Sequence, residues 1–263
     1  MDKRRRKWLR SSAAVGAGAL ASGALRADAQ RSGEVLFAHE GSFIPVIGSS
    51  QRFQVRRIYC VGRNYAAHAR EMGSDPNREP PFFFQKPTDA IQLVPEGSTI
   101  DHPYPPMTKN YHYEVELVAA IGRGGRDIAI ASATDHVFGY AIGLDMTRRD
   151  LQDEAKQLRR PWELGKAADL SGPVGPLHPA SDIGHPASGS ITLSVDGAAK
   201  QKGDLSDMIW SVAEQVAYLS SYFELFPGDV IFSGTPEGVG AVTQGQTLSA
   251  AIEGLGEIRL RVV

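Results

Sequence analysis

At 263 residues, with 42% hydrophobic and 22% charged residues, the chain has the composition of a globular protein with a sizeable core. Its 28 basic and 30 acidic residues leave a formal charge of -2, which argues against nucleic acid and favours small-molecule ligands. The single cysteine, Cys60, excludes an intrachain disulfide framework and a thiolate cluster, so any metal is held by oxygen or imidazole.

The amino terminus reads as an export signal. Lys3 to Lys7 and Arg10 form a basic front, Ser11 to Leu25 is weakly apolar, and Ala27-Asp28-Ala29 supplies a small-x-small cleavage site. Arg5-Arg6-Lys7-Trp8-Leu9-Arg10 resembles a twin-arginine motif, so residues 1–29 are expected to be removed and the protein to be periplasmic, or cytoplasmic if the signal is not used. The apolar run is too short and too rich in Gly and Ala for a stable membrane anchor.

Residues 30–55, punctuated by Gly and Pro, are expected to form short strands or an extended arm ahead of a domain spanning 56–263. Arg57 to Gly62 reads as a buried strand, and Asn64 as the cap of a short helix from Tyr65 to Met72 that Gly73 ends. A Pro-rich loop follows, then an aromatic strand from Phe82 to Lys86, stopped by Pro87. Tyr111 to Ile121 and Val137 to Leu144 are predicted strands, and the Thr147 to Asp150 spacing predicts a capping box opening a helix to about Leu158. Ile191 to Val195 before Asp196-Gly197 predicts a hairpin, Met208 to Phe226 an amphipathic helix, and Val230 to Ser233 and Ile258 to Val263 closing strands. The expected architecture is one β-rich α+β domain with inserted helices.

Residues two apart on a strand share a face, so Glu114 and Glu116 stand together, and Val118 and Ala120 continue that face as an apolar strip. Unpaired negative charge there is costly, which a cation relieves; the alternative is an ordinary solvated strand face. Asp145 ends the next apolar strand, and Thr147 has the better capping spacing, leaving Asp145 for another role. Three carboxylates without thiolate or paired imidazole suit a hard ion: Mg²⁺, with Mn²⁺ or, less well, Ca²⁺ as alternatives. His68 and Glu71, three apart on a short helix, form either a surface ion pair or a carboxylate-oriented general base. Gly122 to Arg126 lacks the ending of a phosphate loop, whereas the Ser233 to Gly240 turn offers amides and the Thr235 hydroxyl to a carboxylate.

Taken in order, these segments resemble the fumarylacetoacetate hydrolase family, most closely its fumarylpyruvate hydrolase and acylpyruvase branch. The resemblance runs from about Arg56 to the end through Cys60-Val61-Gly62-Arg63-Asn64-Tyr65, Phe84-Gln85-Lys86-Pro87, Glu114-Val115-Glu116-Leu117, Gly143-Leu144-Asp145-Met146, Pro161-Trp162-Glu163-Leu164-Gly165-Lys166 and Gly234-Thr235-Pro236-Glu237-Gly238. It implies a mixed β-sandwich roll of the family's C-terminal domain type, usually a homodimer, with one Mg²⁺ or Mn²⁺ on Glu114, Glu116 and Asp145. It also implies that His68 and Glu71 activate water beside Lys166, and that Arg63, Lys86, Arg149, Gln152 and Thr235 bind substrate. The activity implied is hydrolytic carbon–carbon cleavage of a 2,4-dioxo acid in aromatic catabolism, 3-fumarylpyruvate giving fumarate and pyruvate. Oxaloacetate decarboxylation or 2-oxo acid tautomerisation or isomerisation on the same fold, and a non-catalytic periplasmic dicarboxylate binder, are the alternatives; an intact His68–Glu71 pair favours hydrolysis.

Overall fold

Every residue of Val115–Ile121 is buried, and the side chains of this strand alternate between two apolar cores. In the computed structural model, which describes residues 36–73 and 79–263, it lies near the middle of a mixed eight-stranded sheet. It pairs antiparallel with Val137–Leu144 on one side and with Asp229–Phe232 on the other. Beyond Asp229–Phe232 come Arg57–Gly62, in parallel, and Phe82–Lys86; beyond Val137–Leu144 come Gly172–Val174 and Ile91–Leu93, with His178–Pro179 also pairing onto it. The expected signal peptide, 1–29, lies outside the described residues.

A five-stranded sheet, in the order Ala198–Asp204, Ser190–Val195, Thr247–Ile252, Gly256–Val262 and Thr99–His102, packs on one face of the large sheet. Leu117, Ala119, Tyr140 and Ile142 from the large sheet and Leu193, Leu248, Ala250 and Leu260 from the second belong to a single apolar core, which makes the two sheets a sandwich. Its hairpin turns at Asp196 (φ 50°) and Gly197 (φ 79°), the pair of positive dihedrals that a primed two-residue turn needs.

The opposite face of the large sheet is covered too. Ile44, Val46 and Val55 pack with Ile58, Val118, Val230 and Phe232, and the hairpin Phe43–Pro45/Arg52–Gln54 supplies that cover. The expected arm, 30–55, is therefore divided. Gly41–Val263 forms one unit, including the hairpin, and Met1–Glu40 another, of which 36–40 is described and is irregular and exposed. Burial on both faces explains why the central strands read as near-continuous apolar runs rather than as alternating ones.

Three local expectations change. The predicted strand Tyr111 to Ile121 breaks at Glu114: Tyr111–Tyr113 joins a small sheet between Thr147–Arg148 and Gly240–Val242, and Val115 begins the large sheet. Thr147 pairs with His112 in that small sheet, so it caps nothing; the helix that follows is Arg149–Gln157 and has no side-chain cap, while the Thr147 hydroxyl donates to the Asp145 carbonyl. The short helix is Ala66–Glu71 and is likewise uncapped by a side chain, because Asn64 is spent elsewhere, donating to the Trp210 and Ser233 carbonyls and accepting from the Trp210 amide. Gly73 (φ 72°) ends it as expected. The predicted helix within Met208 to Phe226 is Val212–Tyr222, opened by a Ser211–Glu214 capping box.

Candidate active site

The break at Glu114 and the end of Val137–Leu144 meet. Val115 pairs with Leu144, and the Asp145 amide donates to the Glu114 carbonyl at 2.8 Å, which sets the two acidic residues side by side. Glu116 is one pleat further along the same face, ahead of Val118 and Ala120 in the second apolar core. All three carboxylates are at most 3% exposed, and one oxygen of each lies within 4.8 Å of the others.

Three buried anions this close demand compensation. Lys166, at the end of Glu163–Lys166, donates to Glu114 (2.6 Å) and Asp145 (2.7 Å). Arg149 donates to the other Glu114 oxygen. Burial works to raise the Glu114 carboxyl, but Lys166 and Arg149 outweigh it and hold the group well below the usual carboxylate range. For Glu116 the balance reverses. Burial, then Asp145 and Glu114, push its carboxyl well above the usual range against one amide hydrogen bond, 2.8 Å from Gly234. Lys86 Nζ sits 2.9 Å from Asp145 Oδ1, yet its three hydrogens go to the carbonyls of Met146 and Lys166 and to Ser171 Oγ. Asp145 Oδ1 accepts no hydrogen bond. A cluster of hard oxygens, with one buried anionic oxygen unbonded and one carboxyl crowded by its neighbours, fits a divalent cation.

The base candidates meet the same cleft. His68 is 5% exposed, and its Nδ1 donates to Glu71 at 3.1 Å, which leaves Nε2 with its lone pair. Burial lowers the His68 pKa against the pull of Glu114 and Glu71, so the ring is neutral and basic near neutral pH. Glu71 is itself held by the Gly238 amide, at 3.1 and 3.2 Å. One turn after Asp229–Phe232 thus anchors Glu116 by its first glycine and Glu71 by its second. Both glycines have positive φ (99° and 90°), and a Cβ would lie 2.6 Å from Asn64 Cβ at Gly234 and 2.1 Å from the Lys200 carbonyl at Gly238.

Around these groups lies a cleft enclosing about 370 Å³ of space open to solvent. Arg63, Arg149, Gln152 and Thr235, the expected substrate contacts, line it together with Lys166, which was expected to be catalytic. Lys86 does not: it is buried beneath Asp145 and acts on that carboxylate rather than facing the cleft, a correction to the substrate-binding expectation. Sequence reasoning missed further lining residues, Met72, Phe84, Lys156 and Trp162, with Lys156 Nζ 5.6 Å from the Trp162 ring and Lys166 Nζ 5.1 Å from that of Phe84. Lys156 was findable, because positions 149, 152 and 156 share one helix face.

The fumarylacetoacetate (FAA) hydrolase C-terminal family model matches residues 57–263. The chain is 61% identical to the fumarylpyruvate hydrolase of Pseudomonas aeruginosa, whose crystal structure in complex with Mn²⁺ and pyruvate aligns with a TM-score of 0.86 over 88% of this chain and 99% of that one. It is 44% identical over 188 residues to a Ralstonia fumarylpyruvate hydrolase, covering 72% of this chain and 95% of that protein. It is 43% identical over 209 residues to a mitochondrial oxaloacetate tautomerase of Arabidopsis thaliana, covering 80% and 92%.

Proposed function

Because this chain belongs to the fumarylacetoacetate hydrolase family, we propose that it hydrolyses a carbon–carbon bond in acylpyruvates, converting 3-fumarylpyruvate and water to fumarate and pyruvate. The observation that carries the reading is the meeting in one cleft of a three-carboxylate cluster with a buried His68 that Glu71 orients from the exposed side. Glu114, Glu116 and Asp145 would hold Mg²⁺ or Mn²⁺, which when bound would supply Lewis acidity to the reaction. The Thr235 hydroxyl and Arg149 fix the substrate carboxylate. Nε2 of His68 takes a proton from water, whose oxygen adds to the distal carbonyl. The third hydrogen of Lys166 and the amide of Gln152 meet the oxyanion, whose collapse breaks the carbon–carbon bond. The acyl fragment leaves as fumarate, and the pyruvate enolate takes back a proton from the His68 imidazolium.

Oxaloacetate tautomerisation or decarboxylation is the second reading, favoured by the likeness to the Arabidopsis enzyme. Assaying the purified protein with fumarylpyruvate, acetylpyruvate and oxaloacetate, with and without EDTA, separates the two. Formation of fumarate and pyruvate that EDTA abolishes and Mn²⁺ restores is expected; turnover of oxaloacetate alone would overturn the hydrolase reading. We also propose that the protein is a homodimer exported through its twin-arginine-like segment, on the strength of the family resemblance and the Arg5-Arg6 signal pattern.

A further inference from the structure

Ala198–Asp204 is a largely exposed edge strand with one fully buried polar side chain, Gln201. Its register against Ser190–Val195 skips Lys200, since Leu193 faces Gln201 while Ser194 faces Ala199. Such a bulge re-aims the neighbouring side chain. Here it turns Gln201 inward to the point where the two sheets meet the cleft. Oε1 accepts from the Val115 amide at 3.0 Å, and Nε2 donates to Thr235 Oγ1 at 2.8 Å and to the Pro236 carbonyl at 2.9 Å.

These partners fix the orientation of the amide. An N–H faces one end and a carbonyl the other, so a flipped Gln201 would set donor against donor and acceptor against acceptor. Thr235 Oγ1 is consequently an acceptor toward Gln201, and its own hydrogen remains for another group. Thr235 lines the cleft. Val115, the other partner, stands between the two glutamates at the strand break. We propose that Gln201 is a positioning residue for substrate recognition: by donating to Thr235 it commits the Thr235 hydroxyl hydrogen to the cleft, where it binds an anionic oxygen of the oxo acid.

This inference rests on Thr235 as a substrate contact, and the test separates the two claims. Steady-state kinetics with fumarylpyruvate on the Mn²⁺-loaded full chain would compare Thr235→Val, Thr235→Ser, Gln201→Met and the Gln201→Met/Thr235→Val double variant, with the Ki of pyruvate as a second readout. Losing a hydrogen bond to a charged group, Thr235→Val should raise KM and the pyruvate Ki about tenfold, and Thr235→Ser should keep both within about twofold. Gln201→Met should raise KM several-fold with a smaller change in kcat, and the double variant should be no worse in KM than Thr235→Val, because Gln201 acts through Thr235. An unchanged KM in Gln201→Met, or KM effects that multiply in the double variant, would overturn the proposal while leaving Thr235 in place. An unchanged KM in Thr235→Val would remove Thr235 as a substrate contact and the inference with it. Should Gln201→Met fail to fold, Gln201→Glu keeps an acceptor for Val115 while its carboxylate captures the Thr235 hydrogen; the same rise in KM is expected there, and its absence also overturns the proposal.

Discussion

His68 and Lys86 are both buried, both face a carboxylate, and do opposite things with it. His68 uses Glu71 to fix its tautomer and leaves Nε2 with its lone pair, as the proposed general base requires. Replacing His68 with Ala should lower kcat by about 10² to 10⁴ while calorimetry shows Mn²⁺ affinity unchanged; intact turnover would remove it as the base. Its lowered pKa also sets a sign. The neutral, active ring persists to below its ordinary pKa of about 6.5, so the acid limb of kcat/KM lies below that value. Glu71→Gln removes a charge that supports the imidazolium and should move the limb further down. Lys86, with every hydrogen engaged by the protein, should behave as a structural counter-ion. Lys86→Met leaves the Asp145 carboxylate buried without it and should cost about 3 to 5 kcal/mol in urea unfolding, with KM changed far less.

At the scale of elements, the glycine turn after Asp229–Phe232 is the most exposed to test. Gly234→Ala adds a methyl group 2.6 Å from Asn64 Cβ at a backbone dihedral of 99°, so the amide that holds Glu116 must shift. Titration should show Mn²⁺ affinity weakened by about tenfold or more, a loss on the scale seen when a ligand's hydrogen-bonding support is removed. The strands of this site were legible because their apolar runs and their punctuation agree: Val137–Leu144 appears with the bounds read from sequence, and Asp196-Gly197 announced its hairpin. The carboxylate trio was legible only in part from spacing, since a pair abutting Val118 and Ala120 argued for a cation but left a solvated strand face open, and the family resemblance singled out Glu114, Glu116 and Asp145 together. What could not be read was long-range. Nothing local tells that Asp229–Phe232 lies parallel to Arg57–Gly62 across more than a hundred and fifty positions, or that Thr147 prefers a bridge to His112 over capping a helix. Gln201 sits in the polar run Lys200-Gln201-Lys202, where only the bulge distinguishes it. Lys86 carried a family position but not its direction, and direction decided its role.

For the whole molecule, stability should respond to pH through a group outside the carboxylate cluster. His102 is fully buried, with Nδ1 donating to Gln92 and Nε2 accepting from Tyr111, and burial, then Lys86, push its pKa down to about 4. The unfolded chain takes up the proton near pH 6.5, so stability falls as pH drops through the interval from about 6.5 to about 4. Between about pH 7 and pH 5 the loss from this group is roughly 2 kcal/mol, and His102→Asn should flatten that slope in urea unfolding. The turn that holds Glu116 by Gly234 and Glu71 by Gly238 has an implication for redesign. The proposed metal ligand and the partner of the proposed base hang from one short stretch of backbone, so a library placed there should lose both functions together, and its survivors should be few. The lining residues Met72, Phe84, Lys156 and Trp162 carry neither, and selection for new acyl groups should accumulate its changes among them. The cleft would thus divide into a constrained cassette and an editable face, with changes of substrate range expected to concentrate on the second.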